Sequence, residues 1–156
     1  MRDTRRPRGG RLRSLDPAAF APWPAGGVLV GGAVRDALLG RQPTDLDWLV
    51  PDPRAACEAA AAALGGSCFA LDEERGHWRA VAPGGATHDF VPLRGAVEED
   101  LAERDLTVNA LALDRGGTVL DPTGGREDLS RGVVRMTSEA ALRADTVRPL
   151  RAVRFA

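Results

Sequence analysis

The sequence predicts an α+β domain, a small mixed sheet with helices packed on it. Three observations carry this. Residues 27–50 read as a buried strand (Val28 to Val30), a glycine turn at Gly31 and Gly32, a short helix closed by Gly40, and a second strand bearing Asp45 and Asp47. The run RAACEAAAAALGG has the composition of a strong helix, with Asp52-Pro53 as its cap and Gly65 at its end. Cys68 to Leu71, His77 to Ala82 and Thr87 to Val91 then read as short strands separated by DEERG and PGG turns.

Taken from the N-terminus, the chain opens on a charge asymmetry. Its net charge is −1, yet residues 1–14 hold six Arg and one Asp, which leaves the remainder acidic. This Arg-rich arm, with its Gly and Pro, is expected to be disordered. It reads either as an electrostatic arm for RNA or as a solubilising tail. Lys, Ile and Tyr are absent, which points to codon bias rather than to selection for phosphate binding. Asp16-Pro17 is the cap and first residue of a short helix through Phe20, stopped by Pro22 and Pro24. No run of eighteen apolar residues occurs, and the N-terminus has no apolar signal core, so the cytoplasm is the expected location. Cys57 and Cys68 are too few for a disulfide framework and are expected to be reduced, buried residues. With only His77 and His88 beside them, no zinc-ligand spacing arises.

Residues 27–50 also carry the clearest chemistry. Apolar β-branched residues ending at paired glycines, with a helix starting at once, place backbone N–H groups where they can face an anion. Arg35 in the first turn adds a guanidinium fork. On the next strand, the period of two puts Asp45 and Asp47 on one face and Leu46, Trp48 and Val50 on the other. Two like charges about 7 Å apart suit divalent cations better than a bare surface. A phosphate cradle beside a metal-binding carboxylate pair points to nucleotide chemistry. Asp89 shares a face with Thr87 and Val91 and is the candidate for a further metal ligand from a neighbouring strand.

The acidic stretch VEEDLAERDLTVNALAL holds Arg104, Asp105 and Asn109, the last being the only Asn in the chain. Asn offers both a donor and an acceptor, and Arg with Asp can grip a phosphate and a ribose. LDPTGGREDLSRGVVRM reads as a turn with left-handed glycines, a one-turn helix and a terminal strand, all scaffold. Ser138 caps a further helix. In DTVRPLRAVRFA, Arg148, Arg151 and Arg154 recur every third residue beside a Val147, Leu150, Val153 stripe.

The string GGAVRDALLGRQPTDLDWLV resembles the first signature of the class II tRNA nucleotidyltransferases, the CCA-adding enzymes, and of the related bacterial poly(A) polymerases. ERDLTVNALAL resembles their second signature, with Glu103 in place of an Arg. LDPTGGREDLS and the final twelve residues resemble two further runs, with Pro149 unusual among them. The likeness covers roughly residues 26–156 and only the family's catalytic head. Residues 15–156 are therefore expected to form that head, without the neck, body and tail domains.

The resemblance implies a polymerase-beta-type nucleotidyltransferase fold, with helices mainly on one face of the sheet. It also implies Mg²⁺-dependent transfer of CMP or AMP from CTP or ATP to a tRNA 3′ end. Asp45 and Asp47 would be the catalytic carboxylates holding two Mg²⁺ ions, with Asp89 a further ligand. Gly31, Gly32, Arg35, Arg104, Asp105, Asn109, Arg148 and Arg151 would bind the nucleotide. A separate partner could supply the missing domains. A poly(A) polymerase head and a non-catalytic nucleotide- or RNA-binding module are the alternatives.

Overall fold

A computed structural model describes residues 11–140 of the chain. The elements follow in the order β1 (Val28–Val30), α1 (Gly32–Leu38), β2 (Asp45–Val50), α2 (Pro53–Leu64), β3 (Ser67–Asp72), β4 (His77–Val81), β5 (Thr87–Pro92), α3 (Val97–Ala102), β6 (Ala112–Leu113), β7 (Val119–Leu120) and α4 (Gly125–Arg131). Two 3-10 turns, Pro17–Phe20 and Thr107–Asn109, lie between them. The seven strands form one sheet in the order β3-β4-β5-β2-β1-β6-β7. Only β2 and β5 run parallel, joined by a crossover through α2 and the β3–β4 hairpin; the other neighbouring pairs are antiparallel.

Local chemistry sets the element ends. Asp52 accepts a hydrogen bond from the Ala55 N–H at 3.0 Å, and Pro53 occupies the first helical position of α2, where its missing N–H costs nothing. Gly65 ends that helix at φ 67°, a left-handed cap that glycine adopts without a Cβ clash. The main core lies on the α1/α2 face of the sheet. Leu46, Trp48 and Val50 of β2 meet Ala33, Val34 and Leu38 of α1 and Cys57, Ala60 and Ala61 of α2 there. Trp48 is fully buried, and its indole N–H donates to His88 Nδ1, which satisfies the one polar atom of the indole.

Three sequence expectations are revised. Cys57 and Cys68 are not free thiols but form a disulfide tying α2 to the edge strand β3. Their separation of eleven residues gave no hint, because it is the helix-to-strand reversal at Gly65 that turns one toward the other. Acidic residues 97–102, for which the pattern gives no element, form helix α3. Its Glu98, Glu99 and Asp100 suit a helix N-terminus, and Leu101 closes a second, smaller core with Val30, Leu49, Ala110 and Ala112 on the opposite sheet face. The terminal strand after α4 reduces to a single bridge between Met136 and Leu106, and α4 itself is seven residues long rather than one turn. The Arg148, Arg151 and Arg154 stripe and most of the Arg-rich arm lie outside the described residues.

Candidate active site on the open sheet face

The strand period places Asp45 and Asp47 on the face that α1 and α2 leave uncovered, and both are exposed while Leu46 and Trp48 are buried. The Asp45 carboxylate accepts a hydrogen bond from the Thr87 hydroxyl at 2.8 Å. Asp47 stands in register with Asp89 on β5, so three carboxylates share one patch. Asp89 is gripped by both Nε and Nη2 of Arg79, each at 2.6 Å, in a bidentate pair. Although Asp47 reaches solvent, the cleft strips enough water from it to raise its carboxyl pKa. The negative charges of Asp89 and then Asp45 push the same way, against Arg104 and Arg79.

On the other side of Asp47 lies the glycine turn. Gly31 has φ 78°, and a Cβ there would come within 3.0 Å of an Arg104 nitrogen and 3.9 Å of Asp47 Oδ2. A Cβ on Gly32 would come within 3.3 Å of an Arg35 nitrogen. The glycine pair thus opens room for two guanidinium groups beside a carboxylate. The Gly31 N–H donates to the Leu111 carbonyl at 2.9 Å, so it faces β6 rather than an anion. Arg35 donates to Asp36 at 2.9 Å and to the Asn109 side-chain carbonyl. Arg104 is steadied by Asp100 of α3 at 3.0 Å.

Asn109 and Arg104 are positioned from below. Thr107, in the same 3-10 turn as Asn109, donates its hydroxyl to buried Asp128 of α4 at 2.7 Å, and Asp128 also receives Arg135. A Cβ on Gly125 would sit 2.0 Å from the Thr107 carbonyl, so only glycine lets α4 approach this closely. Burial alone would raise the Asp128 pKa, but the hydrogen bonds from Arg135 and Thr107 hold it below the usual carboxylate value. Asp105 is buried and accepts the Leu106 N–H at 2.8 Å, so it braces this turn from within.

The structure therefore brings Asp45, Asp47, Asp89, Gly31, Gly32, Arg35, Arg104 and Asn109 into one cleft and turns Asp105 inward. Sequence reasoning missed Arg79 and the Thr107–Asp128 contact. Arg79 was accessible to it: a hairpin pivoting on Pro83-Gly84-Gly85 pairs residue 82 with 86, and by continuation 79 with 89.

A glycine-led helix and a carboxylate-bearing strand in a mixed sheet of this order define the polymerase-beta-type nucleotidyltransferase fold. Residues 80–135 match the Poly A polymerase head domain family. The chain is 56% identical over 134 residues to an A-adding tRNA nucleotidyltransferase of Deinococcus radiodurans, covering 86% of this chain and 31% of that one. It is 54% identical over 127 residues to a CC-adding tRNA nucleotidyltransferase of Thermus thermophilus, covering 81% and 29%. Among solved structures, a Thermotoga maritima CCA-adding enzyme complexed with tRNA superposes with a TM-score of 0.73 at 33% identity, over 83% of this chain and 32% of that one. A tRNA-processing enzyme with CTP gives 0.75, also at 33% identity, over 83% and 37%. The chain belongs to the family of tRNA nucleotidyltransferases and poly(A) polymerases and carries its head domain. It spans about a third of the length of the relatives it matches.

Proposed function

We propose that this chain is the catalytic head of a tRNA nucleotidyltransferase, transferring CMP or AMP from CTP or ATP to a tRNA 3′ end. The observation that carries the reading is the placement of Asp45 and Asp47 between two cationic groups, with Arg35 and Arg104 on the glycine side and Arg79 on the other.

Two exposed carboxylates on one strand face fit Mg²⁺, which takes one or two carboxylates and completes its oxygen shell with substrate phosphates and water. Among the described residues no group of three or more His, Cys, Asp or Glu side chains is placed to hold a metal ion. When bound there, Mg²⁺ would lower the pKa of the RNA 3′-hydroxyl and neutralise charge on the leaving pyrophosphate. Asp89, already paired with Arg79, would act mainly through its charge on Asp47 unless that pair opens.

The protein's own part is positioning. Arg35, over Gly32, would take the β- and γ-phosphates, exchanging its Asn109 contact for phosphate oxygens and freeing the Asn109 amide for the sugar. Arg104, over Gly31 and beside Asp47, would meet the phosphate under attack. Arg148 and Arg151 are assigned to the nucleotide only by likeness. No covalent intermediate is required, since alignment and fixed charge can lower the barrier by themselves. The cytoplasm, where tRNA is processed, is the location that fits.

The test is incubation with Mg²⁺, labelled CTP or ATP, and tRNA lacking its 3′ end. Addition of C, or of a single terminal A, supports the reading. Long A-tails would instead indicate a poly(A) polymerase, and nucleotide binding without transfer a non-catalytic module.

A further inference from the structure

The open sheet face continues past the carboxylates. Asp47 pairs with Asp89, Asp89 with Arg79, and Arg79 with Phe69, so these side chains form one row across β2, β5, β4 and β3. At about 4.8 Å per strand, Phe69 lies about 14 Å from Asp47. It is 45% exposed and Leu71 is 47% exposed, the two large hydrophobic side chains left open among the described residues. Both stand on edge strand β3, Phe69 in regular register with Arg79 and Leu71 at the bulge between Ala70 and Asp72. An open aromatic on a sheet edge is an aggregation hazard, and nothing in the core requires it there.

The direction of the row identifies what would cover it. The glycine turn, Arg35 and Arg104 lie on the β1 side of β2, while β5, β4 and β3 lie on the other side. In-line displacement sets the attacking oxygen opposite the leaving pyrophosphate. With the triphosphate held at the glycine turn, the acceptor's 3′-hydroxyl arrives from the β5 side. The strand behind it then leads over β4 toward β3. We propose that Phe69 is a stacking platform for an unpaired base of the acceptor RNA, a few nucleotides back from its reacting end. The inference rests on the proposed function.

Stacking tolerates any base, because every base presents a π-face, and so suits a 3′ end that changes as it grows. Cations accompany the platform. Arg75 and Arg94, together with His77 as a hydrogen-bonding ring, line a cleft over β4 and β5, and can meet the phosphates between stacked bases. Glu99, Asp100 and Glu103 of the opposite wall would hold a polyanion away from α3 and toward the β3 edge, where Phe69 stands.

The test uses the whole chain with a single-stranded RNA ending in CC and with tRNA lacking its 3′ end. Phe69→Ala is expected to weaken RNA binding and raise the KM for tRNA about tenfold, leaving CTP and ATP affinity unchanged. Phe69→Trp is expected to keep both, with added indole fluorescence that RNA quenches. Phe69→Ala binding RNA as tightly as wild type overturns the platform while leaving nucleotide transfer standing. Phe69→Ala losing CTP affinity as well also overturns it, since the side chain would then be structural. A wild-type chain that neither binds RNA nor transfers nucleotide removes both readings.

Discussion

Asp47 occupies a position that costs the empty fold something. Its pKa is raised by lost hydration and by Asp89 and Asp45, so its folded value lies above the unfolded value of about 3.9. At neutral pH the ionised carboxylate therefore opposes folding, and the penalty fades as pH falls through the folded pKa. Asp47→Ala is expected to reduce nucleotide transfer by at least on the order of 10²-fold, because preorganised charge at the reacting phosphate is lost. In metal-free buffer its Tm should equal or exceed that of wild type, and Mg²⁺ with CTP should raise only the wild-type Tm. A large loss of stability with transfer intact would show the pair to be structural. Arg35 makes a second case at this scale. Its guanidinium lies against Gly32 and is already aligned by Asp36 and Asn109. Arg35→Ala should weaken ATP binding far more than adenosine binding, and Arg35→Lys should restore only part, since an ammonium cannot bind phosphate through two parallel bonds. Equal ATP affinity in wild type and Arg35→Ala, by calorimetric titration, would refute the assignment.

Among the elements, the turn Thr107–Asn109 matters most, because it carries Asn109 and follows directly on Arg104. It is held by α4 through Asp128, which is buried and binds both Thr107 and Arg135. Removing an acceptor from a buried network costs about 1–3 kcal/mol, so Asp128→Asn should lower the urea midpoint at pH 7. The Asp128 pKa is depressed in the folded state, so its stabilisation is complete above the unfolded value of about 3.9 and is lost as pH falls through the folded value. The gap between wild type and Asp128→Asn should accordingly close in strong acid, and a gap unchanged there would place the effect elsewhere. Elements with a local signal were legible in sequence. Gly31-Gly32 ends β1 and starts α1, Asp52-Pro53 starts α2, and the PGG turn sets the β4–β5 hairpin. What escaped depends on contacts between distant residues. Helix α3 exists because Leu101 fills a pocket made by Val30, Leu49 and Ala112. The Cys57–Cys68 bond exists because Gly65 folds β3 back along α2. The Thr107–Asp128 bond spans 21 residues and leaves no periodic trace.

At the scale of the whole molecule, the groups proposed to bind nucleotide would offer phosphates and ribose several partners, and bases few. A site that rejects the wrong base does so by leaving a buried polar group unpaired. Here the buried side-chain atom without a partner, among the described residues, is Thr123 Oγ1, in the turn before α4. Arg35, Arg104 and Asn109 are engaged at the glycine turn, where under the proposed function every ribonucleotide would present the same triphosphate and sugar. The chain is therefore expected to bind CTP, ATP, GTP and UTP within about tenfold of one another in Mg²⁺, a spread of about 1.4 kcal/mol. Each hydrogen bond that reads a base edge would add ~1–3 kcal/mol when its loss leaves a buried group unpaired. Calorimetric titration with the four nucleotides decides the matter. A preference for CTP of about a hundredfold, or 2.8 kcal/mol, would mean that the head reads bases itself, with Arg104 and Asn109 the first side chains to replace.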